Sequence, residues 1–326
     1  MTTTTGMPDF DEHVAYQPLV GTGRRGDQVF SGLARGSGIL VVALVAAVGA
    51  FLLIEAIPAL LKNRANFLFD RVWDLDDPAA PKFGIPDLLW ATVAIAMIAM
   101  AIAVPLAIGV ALFLTNYAPT RVARPFAYVV DLLAAVPSII YGLWGIKVLL
   151  PYSRDVQGFL SSTLGWIPLF KDAGVSQGTL FLAGVVLAIM ILPIVTAISR
   201  EVFAQTPPAH KEGALALGAT RWEMIRTAVL PYGRAGVISA AMLGLGRALG
   251  ETIAITIIVS QVAGFNFSIF NGGQTFASKI ANNAAEFDSP TKTGAFIAAG
   301  LVLFVLTFVV NAVARIVIER RKAFTE

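Results

Sequence analysis

The chain has 326 residues, of which 56% are hydrophobic and only 14% charged, with a mean hydropathy of +0.75. Soluble domains carry about 25% charged residues, so this composition excludes an ordinary soluble protein, and length is better counted in apolar spans of roughly 20 residues. A net charge of +3 gives no case for nucleic acid, the absence of cysteine excludes disulfides and thiolate chemistry, and two histidines, His13 and His210, leave no histidine metal site to expect.

In chain order, the opening MTTTTGMPDFDEH shows neither apolar periodicity nor a cap pattern and is expected to be a mobile tail. Six segments are long and apolar enough to cross a bilayer as helices: 37–61, 88–115, 125–150, 178–199, 235–261 and 293–315. Irregular backbone cannot face lipid, so helices are the default. The first run starts too late and is too long for a signal peptide, and is taken as a retained span. The domain reading is a tail over 1–36, a six-span membrane domain over 37–318 that includes a loop at 200–231, and a second tail over 319–326. With the N-terminus inside, fourteen of the 24 lysines and arginines fall on the inner side and eight outside, which predicts a plasma-membrane protein with both termini in the cytoplasm.

In the third predicted span, Pro137 removes a backbone hydrogen bond, and Ser138 and Tyr141, three apart, offer hydroxyls on one side. They suit either a polar pathway lining or an ordinary proline kink. Glu55 and Asp131 lie near span ends and read as interfacial or paired.

The loop at 200–231 is the charged exception in this greasy chain. Thr206 and Pro207 predict a helix start, Ala209, Ala214, Leu215 and Leu217 its apolar positions, and Gly218 its stop. Thr220-Arg221-Trp222-Glu223 then forms a capping box that opens a second helix running towards Pro231. The apolar groups of this bend suit a protein partner or packing on the chain's own bundle.

The fifth predicted span carries Arg247 and Glu251, i and i+4 on one helical face. A charge in hydrocarbon costs at least about 2.5 kcal/mol unless paired or hydrated, so both should point into the bundle. They either lock two helices together or guide an oxyanion, to which arginine's planar fork is matched; Glu251 would then neutralise Arg247 when the path is empty. Small residues around them, including Ala240, Gly244, Gly246, Ala248 and Gly250, allow close backbone approach within the chain or between subunits. Between spans five and six, Gly272-Gly273 gives a turn and Thr275 an N-cap for a short amphipathic run to about Phe287, read as a gate or dock at the outer mouth or as a plain interfacial helix.

No G-x-x-x-x-G-K-[ST] stretch occurs and no Ser/His/Asp set can be assembled, so the chain is not expected to bind ATP, to hold a cofactor or metal, or to be an enzyme.

The stretch EGALALGATRWEMIRTAVLP resembles the EAA loop of ABC-transporter permease subunits, with Glu212, Ala214, Gly218, Leu230 and Pro231 at matching positions and Gly213 and Ala228 as departures. AAVPSIIYGLWG (134–145), GLGRALGETIAITII (244–258) and GQTFASKIANN (273–283) are similar to the PstC-type permease of the bacterial phosphate-uptake ABC transporter, and the resemblance spans roughly residues 40–315. It implies an all-α, six-span permease of MetI-like architecture, without cofactor of its own. Glu212, Ala214, Gly218, Trp222, Leu230 and Pro231 would form the coupling element that docks on a dimeric cytoplasmic ATPase, which binds the ATP. Arg247 and Glu251, with Ser138 and Tyr141, would line the path of inorganic phosphate. The other partners implied are a PstA-type permease completing a heterodimeric pore and an extracytoplasmic phosphate-binding protein. A permease for sulfate or molybdate, and a stand-alone channel or secondary transporter, are the alternatives.

Overall fold

A computed structural model describes residues 24–172, 174, 177–262 and 265–322, with the side chains at 24–25 and 317–322 left aside. The stretch expected as a mobile tail, 1–13, lies outside the described residues, as does the C-terminal end from 323.

The chain divides into two compact units, Met1–Ala50 and Phe51–Glu326. The described part of the first belongs to helix α1, Arg24–Lys62, which starts well before the span boundary expected at 37. Its apolar residues, Ile39, Leu40, Val42, Leu44 and Val48 among them, are exposed all round the helix, the pattern of a segment whose solvent is lipid.

The second unit begins with the end of α1 and a loop carrying a two-residue antiparallel ladder, β1 (Trp73–Asp74) against β2 (Lys82–Phe83). Trp73, Phe83 and Phe296 pack together there, and Asn63 ties the loop by accepting from Phe83 N–H and donating to its carbonyl. Helices α2 (Pro86–Leu112), α3 (Thr120–Ala134), α4 (Ser138–Trp144), α5 (Leu150–Leu164) and α6 (Leu180–Ala204) follow. Then come the short α7 (Pro208–Ala216) and α8 (Arg221–Met224), α9 (Leu230–Gly250), α10 (Ile253–Ile258), α11 (Phe276–Asn282) and α12 (Pro290–Lys322).

The core is the packing of α2, α6 and α9. Alanines at 91, 99, 103, 107 and 111 form a four-residue ridge along α2, all buried, and Gly184 on α6 has no room for a side chain beside Ile98. Small residues matter here because lipid supplies no hydrophobic drive between helices and close van der Waals contact must hold them. Wide π-turns at Phe113–Tyr117, Gly145–Leu149 and Ile225–Val229 each come just before a proline, Pro119, Pro151 or Pro231. Widening the turn draws the preceding carbonyls away from the pyrrolidine ring that a regular helix would clash with.

Five described helices are long and apolar enough to cross a membrane, and the count reaches six only if the bent pair Thr120–Ala134 and Ser138–Leu164 is one span. The third span expected over 125–150, with its interruption at Pro137, is a bent pair whose two pieces meet at 93°; proline lacks an N–H and disfavours the helical region for the residue before it. The expectation that Asp131 is paired holds, since its Oδ2 lies 3.7 Å from Arg200 on α6.

Candidate functional site

Two broken spans meet at their breaks. The first break is at Pro137; the second separates α9 from α10, where Glu251 has an extended backbone (φ −66°, ψ 126°). Helix α4 crosses α10 so closely that a Cβ on Gly142 would stand 3.1 Å from the Cα of Ala254. Irregular backbone at membrane depth is tolerated where it is buried in protein or lines a wet cavity, and at this crossing Gly142 and Ala254 are buried within the chain.

Arg247 sits in the last turn of α9, where a cation complements the helix's negative end. It is half-buried and lines a groove of about 1010 Å3 with Ser239 and Gly246 of α9, Ile194 of α6, and Phe308, Asn311 and Arg315 of α12. An arginine at a helix end, beside a large groove with a second arginine and an amide, can draw in an anion and hold it by hydrogen bonds without burying an unpaired charge.

Glu251 does not do what its spacing predicts. Because α9 ends at Gly250, Arg247 and Glu251 no longer share a helical face; instead Glu251 Oε1 accepts the N–H of Ala254 at 3.1 Å, capping the start of α10. The i, i+4 pair is thus corrected to two separate roles. Tyr141 is buried, and its hydroxyl donates to the carbonyl of Leu133 at 2.8 Å across the first break. That carbonyl also accepts the N–H of Val136 at 3.3 Å, so the Tyr141 bond is a second donor that ties α4 back to the end of α3. Ser138 is half-buried at the first position of α4. The groove residues Ser239, Asn311 and Arg315 were missed by sequence reasoning; an asparagine inside the sixth apolar run is the signal that could have found them.

The charged loop lies at the opposite end from the β1–β2 ladder, where Leu112, Phe203, Met224 and Ile225 cluster. Helix α7 starts one residue later than expected, with Pro207 rather than Thr206 at the N-cap. It ends in a Schellman motif: Gly218 N–H donates to Leu215 O at 3.0 Å and Ala219 N–H to Ala214 O at 3.2 Å, with Gly218 at φ +85°. The capping box forms as predicted, Thr220 N–H to Glu223 Oε2 at 2.7 Å and Glu223 N–H to Thr220 Oγ1 at 3.3 Å. From there α8, the π-turn and α9 run on as one rod into the membrane-length helix. Ala214 and Leu230 are half-buried against the chain's own cluster of Leu112, Phe203, Met224 and Ile225, the small Ala214 side chain letting α7 lie close. Glu212, Gly218, Trp222 and Pro231 remain exposed, Trp222 at 56% and the neighbouring Leu217 at 91%.

Residues 103–323 match the family model described as binding-protein-dependent transport system inner membrane component. The chain is 54% identical over 296 residues to the phosphate transport system permease protein PstC 2 of Mycobacterium tuberculosis, covering 90% of this chain and 91% of that one. It is 56% identical over 269 residues to PstC of Mycobacterium leprae, covering 81% and 84%. Among solved structures, an inward-facing form of the MetNI methionine ABC transporter aligns with a TM-score of 0.54 at 16% identity, over 72% of this chain and 94% of that one, a likeness of fold alone. On the family match and these relatives together, the chain belongs to the binding-protein-dependent transport system inner membrane components, in their PstC-type branch.

Proposed function

We propose that the protein is the permease subunit of an ATP-driven importer of inorganic phosphate. The observation that carries this reading is Arg247 at the broken end of α9, facing the groove between α9 and α12, in a chain whose relatives are named as phosphate permeases. Phosphate enters the groove under the pull of Arg247 and Arg315, whose guanidinium forks match tetrahedral oxyanions. Glu251 and Tyr141 hold the two breaks in register, so that Arg247 is presented at a fixed depth, and Ser138 lies at the first break beside them.

The loop at 200–231 faces the cytoplasm together with both termini and docks on a separate pair of ATPase subunits through Leu217, Trp222 and Glu212. Large apolar side chains exposed beside a rigid bend favour a protein partner over water. A second permease of PstA type completes the pore along the α9 face that carries Gly246 and Gly250, at either of which an added Cβ would meet nothing beyond its own helix within 4 Å. A soluble phosphate-binding protein delivers cargo at the other end. The chain itself supplies no cofactor and no chemistry.

Uptake of labelled phosphate in a strain lacking this chain, with and without a plasmid copy and with excess sulfate or molybdate, tests the reading. Restored uptake that neither competitor depresses supports it; uptake displaced by sulfate or molybdate reassigns the cargo.

A further inference from the structure

At the end of the bundle opposite the charged loop lies a second cavity, of about 320 Å3, which the pathway above does not use. Its lining includes Arg71, Trp73, Asp87, Trp90, Asn271 and Lys279, drawn from the β1–β2 loop, the start of α2, and the segment leading through α11. These elements are fastened to one another. Leu180 N–H donates to Asn271 O at 2.9 Å, Gly273 N–H to Ser260 O at 3.0 Å, and Phe276 N–H to Thr92 Oγ1 at 3.2 Å. The start of the run from 273 to 287 is therefore docked into the bundle by the buried Phe276 and Ser278, while 281–287 stay largely exposed.

The polar groups of this cavity are unusually unoccupied. Trp73 Nε1, Trp90 Nε1 and Asp87 Oδ1 are buried atoms without a hydrogen-bond partner in the chain; the nearest cation to Asp87 Oδ1, Arg71 Nε, stands off at 3.9 Å, beyond hydrogen-bond reach. Arg71 is held in place from the other side, its guanidinium 3.7 Å from the centroid of Phe265. The Lys279 ammonium lies 5.4 Å from the Trp73 ring, and burial holds it below the usual lysine range, with Glu286 acting in the opposite sense. Buried polar atoms are normally satisfied, so two indole N–H donors and one carboxylate oxygen without a partner, with Arg71 and Lys279 lining the same cavity, describe the complement of a ligand.

We propose that this cavity is a landing site for a protonated tetrahedral oxyanion, in which Arg71, Lys279 and the indole N–H groups of Trp73 and Trp90 hold the charged oxygens while Asp87 accepts the hydrogen bond of the oxyanion's own acidic proton. The carboxylate is what makes the site selective. An anion with no proton sets an oxygen against Asp87 and is repelled, whereas hydrogen phosphate turns its O–H towards it; sulfate carries no proton at neutral pH. A site built to pair with a ligand's O–H discriminates strongly against an analogue lacking it, because its buried polar group is then left unpaired. The inference rests on the reading of the protein as a phosphate permease and adds to it a place where cargo is selected before reaching Arg247. A phosphodiester of a lipid headgroup shares the tetrahedral anion but not the acidic proton.

The test is binding of inorganic phosphate and of sulfate to the full-length protein, purified in a phosphate-free sugar detergent as the complex it forms, by equilibrium dialysis with labelled anions. Trp90→Phe and Lys279→Met should weaken phosphate binding about tenfold or more, and Asp87→Asn should weaken phosphate and strengthen sulfate, so that their ratio moves by about a hundredfold. Phosphatidylglycerol added to the detergent should not displace the anion. Binding that ignores Trp90→Phe, Lys279→Met and Asp87→Asn, or that yields to phosphatidylglycerol, overturns the landing site while leaving the transport reading intact. The transport reading fails separately, if the wild-type chain restores no phosphate uptake.

Discussion

Glu251 Oε1 accepts the amide N–H of Ala254 at 3.1 Å, four residues after Arg247 and on the far side of a helix break. The carboxylate therefore holds the start of α10 instead of neutralising the arginine. Losing such a cap costs about 1 kcal/mol. Glu251→Gln keeps an acceptor and should retain normal melting behaviour and membrane level, while Glu251→Ala should melt several degrees lower. Exchanging the two residues puts a donor-only arginine at the cap and a carboxylate beside the groove, so the swap should lose phosphate uptake. Wild-type uptake by the swapped protein would show that the two residues act as a simple ion pair.

Gly218 at φ +85° has open space around its Cα, so substitutions there are felt through the backbone alone. A β-carbon in the left-handed region costs roughly 1–2 kcal/mol, less for asparagine. Gly218→Asn should still co-purify with the ATPase, and Gly218→Val should reach the membrane but recover less of it. Equal recovery for both would separate the bend from docking.

Two glycines on α9, two residues apart, should behave oppositely. Gly244 would bring a Cβ to 2.9 Å from Val195, whereas Gly246 meets nothing. Gly244→Leu should destabilise the chain itself by about 1–3 kcal/mol through overpacking, read as loss of membrane level. Gly246→Leu should leave that level unchanged and reduce association with the second permease in pull-downs. Normal association would place the subunit interface elsewhere.

Orientation is checked by cysteine labelling, made clean by the absence of native cysteine. Cysteine replacing Asn282 should react with an impermeant reagent from outside, and cysteine replacing His210 only after the membrane is opened. Both positions are exposed. The reverse pattern would invert the assignment of the coupling loop.

What was legible in the sequence was whatever local chemistry dictates. The capping box at Thr220 and Glu223, the Gly218 stop and the Thr275 cap all form where their residues predict. Long apolar runs gave the spans, but hydropathy is blind to direction, so the 93° turn at Pro137 and the break at Glu251 were hidden inside runs that read as continuous. Pro137 marks where the first interruption falls, but the size of the turn and the break at Glu251 accompany a tertiary contact, the approach of Gly142 to Ala254, which no local pattern encodes. The half-burial of Ala214 and the groove shared by Arg247, Asn311 and Arg315 depend on the same long-range packing.

The central claim is that Arg247 guides phosphate by fork geometry and charge at the end of α9. Its most direct test is labelled phosphate uptake by Arg247→Lys and Arg247→Gln, each at wild-type membrane level and with the ATPase still bound. A point charge on lysine cannot reproduce the bidentate contact, and the account predicts uptake lowered about tenfold or more for lysine and abolished for glutamine. Wild-type uptake by assembled Arg247→Gln would contradict it and place the phosphate path away from the groove between α9 and α12.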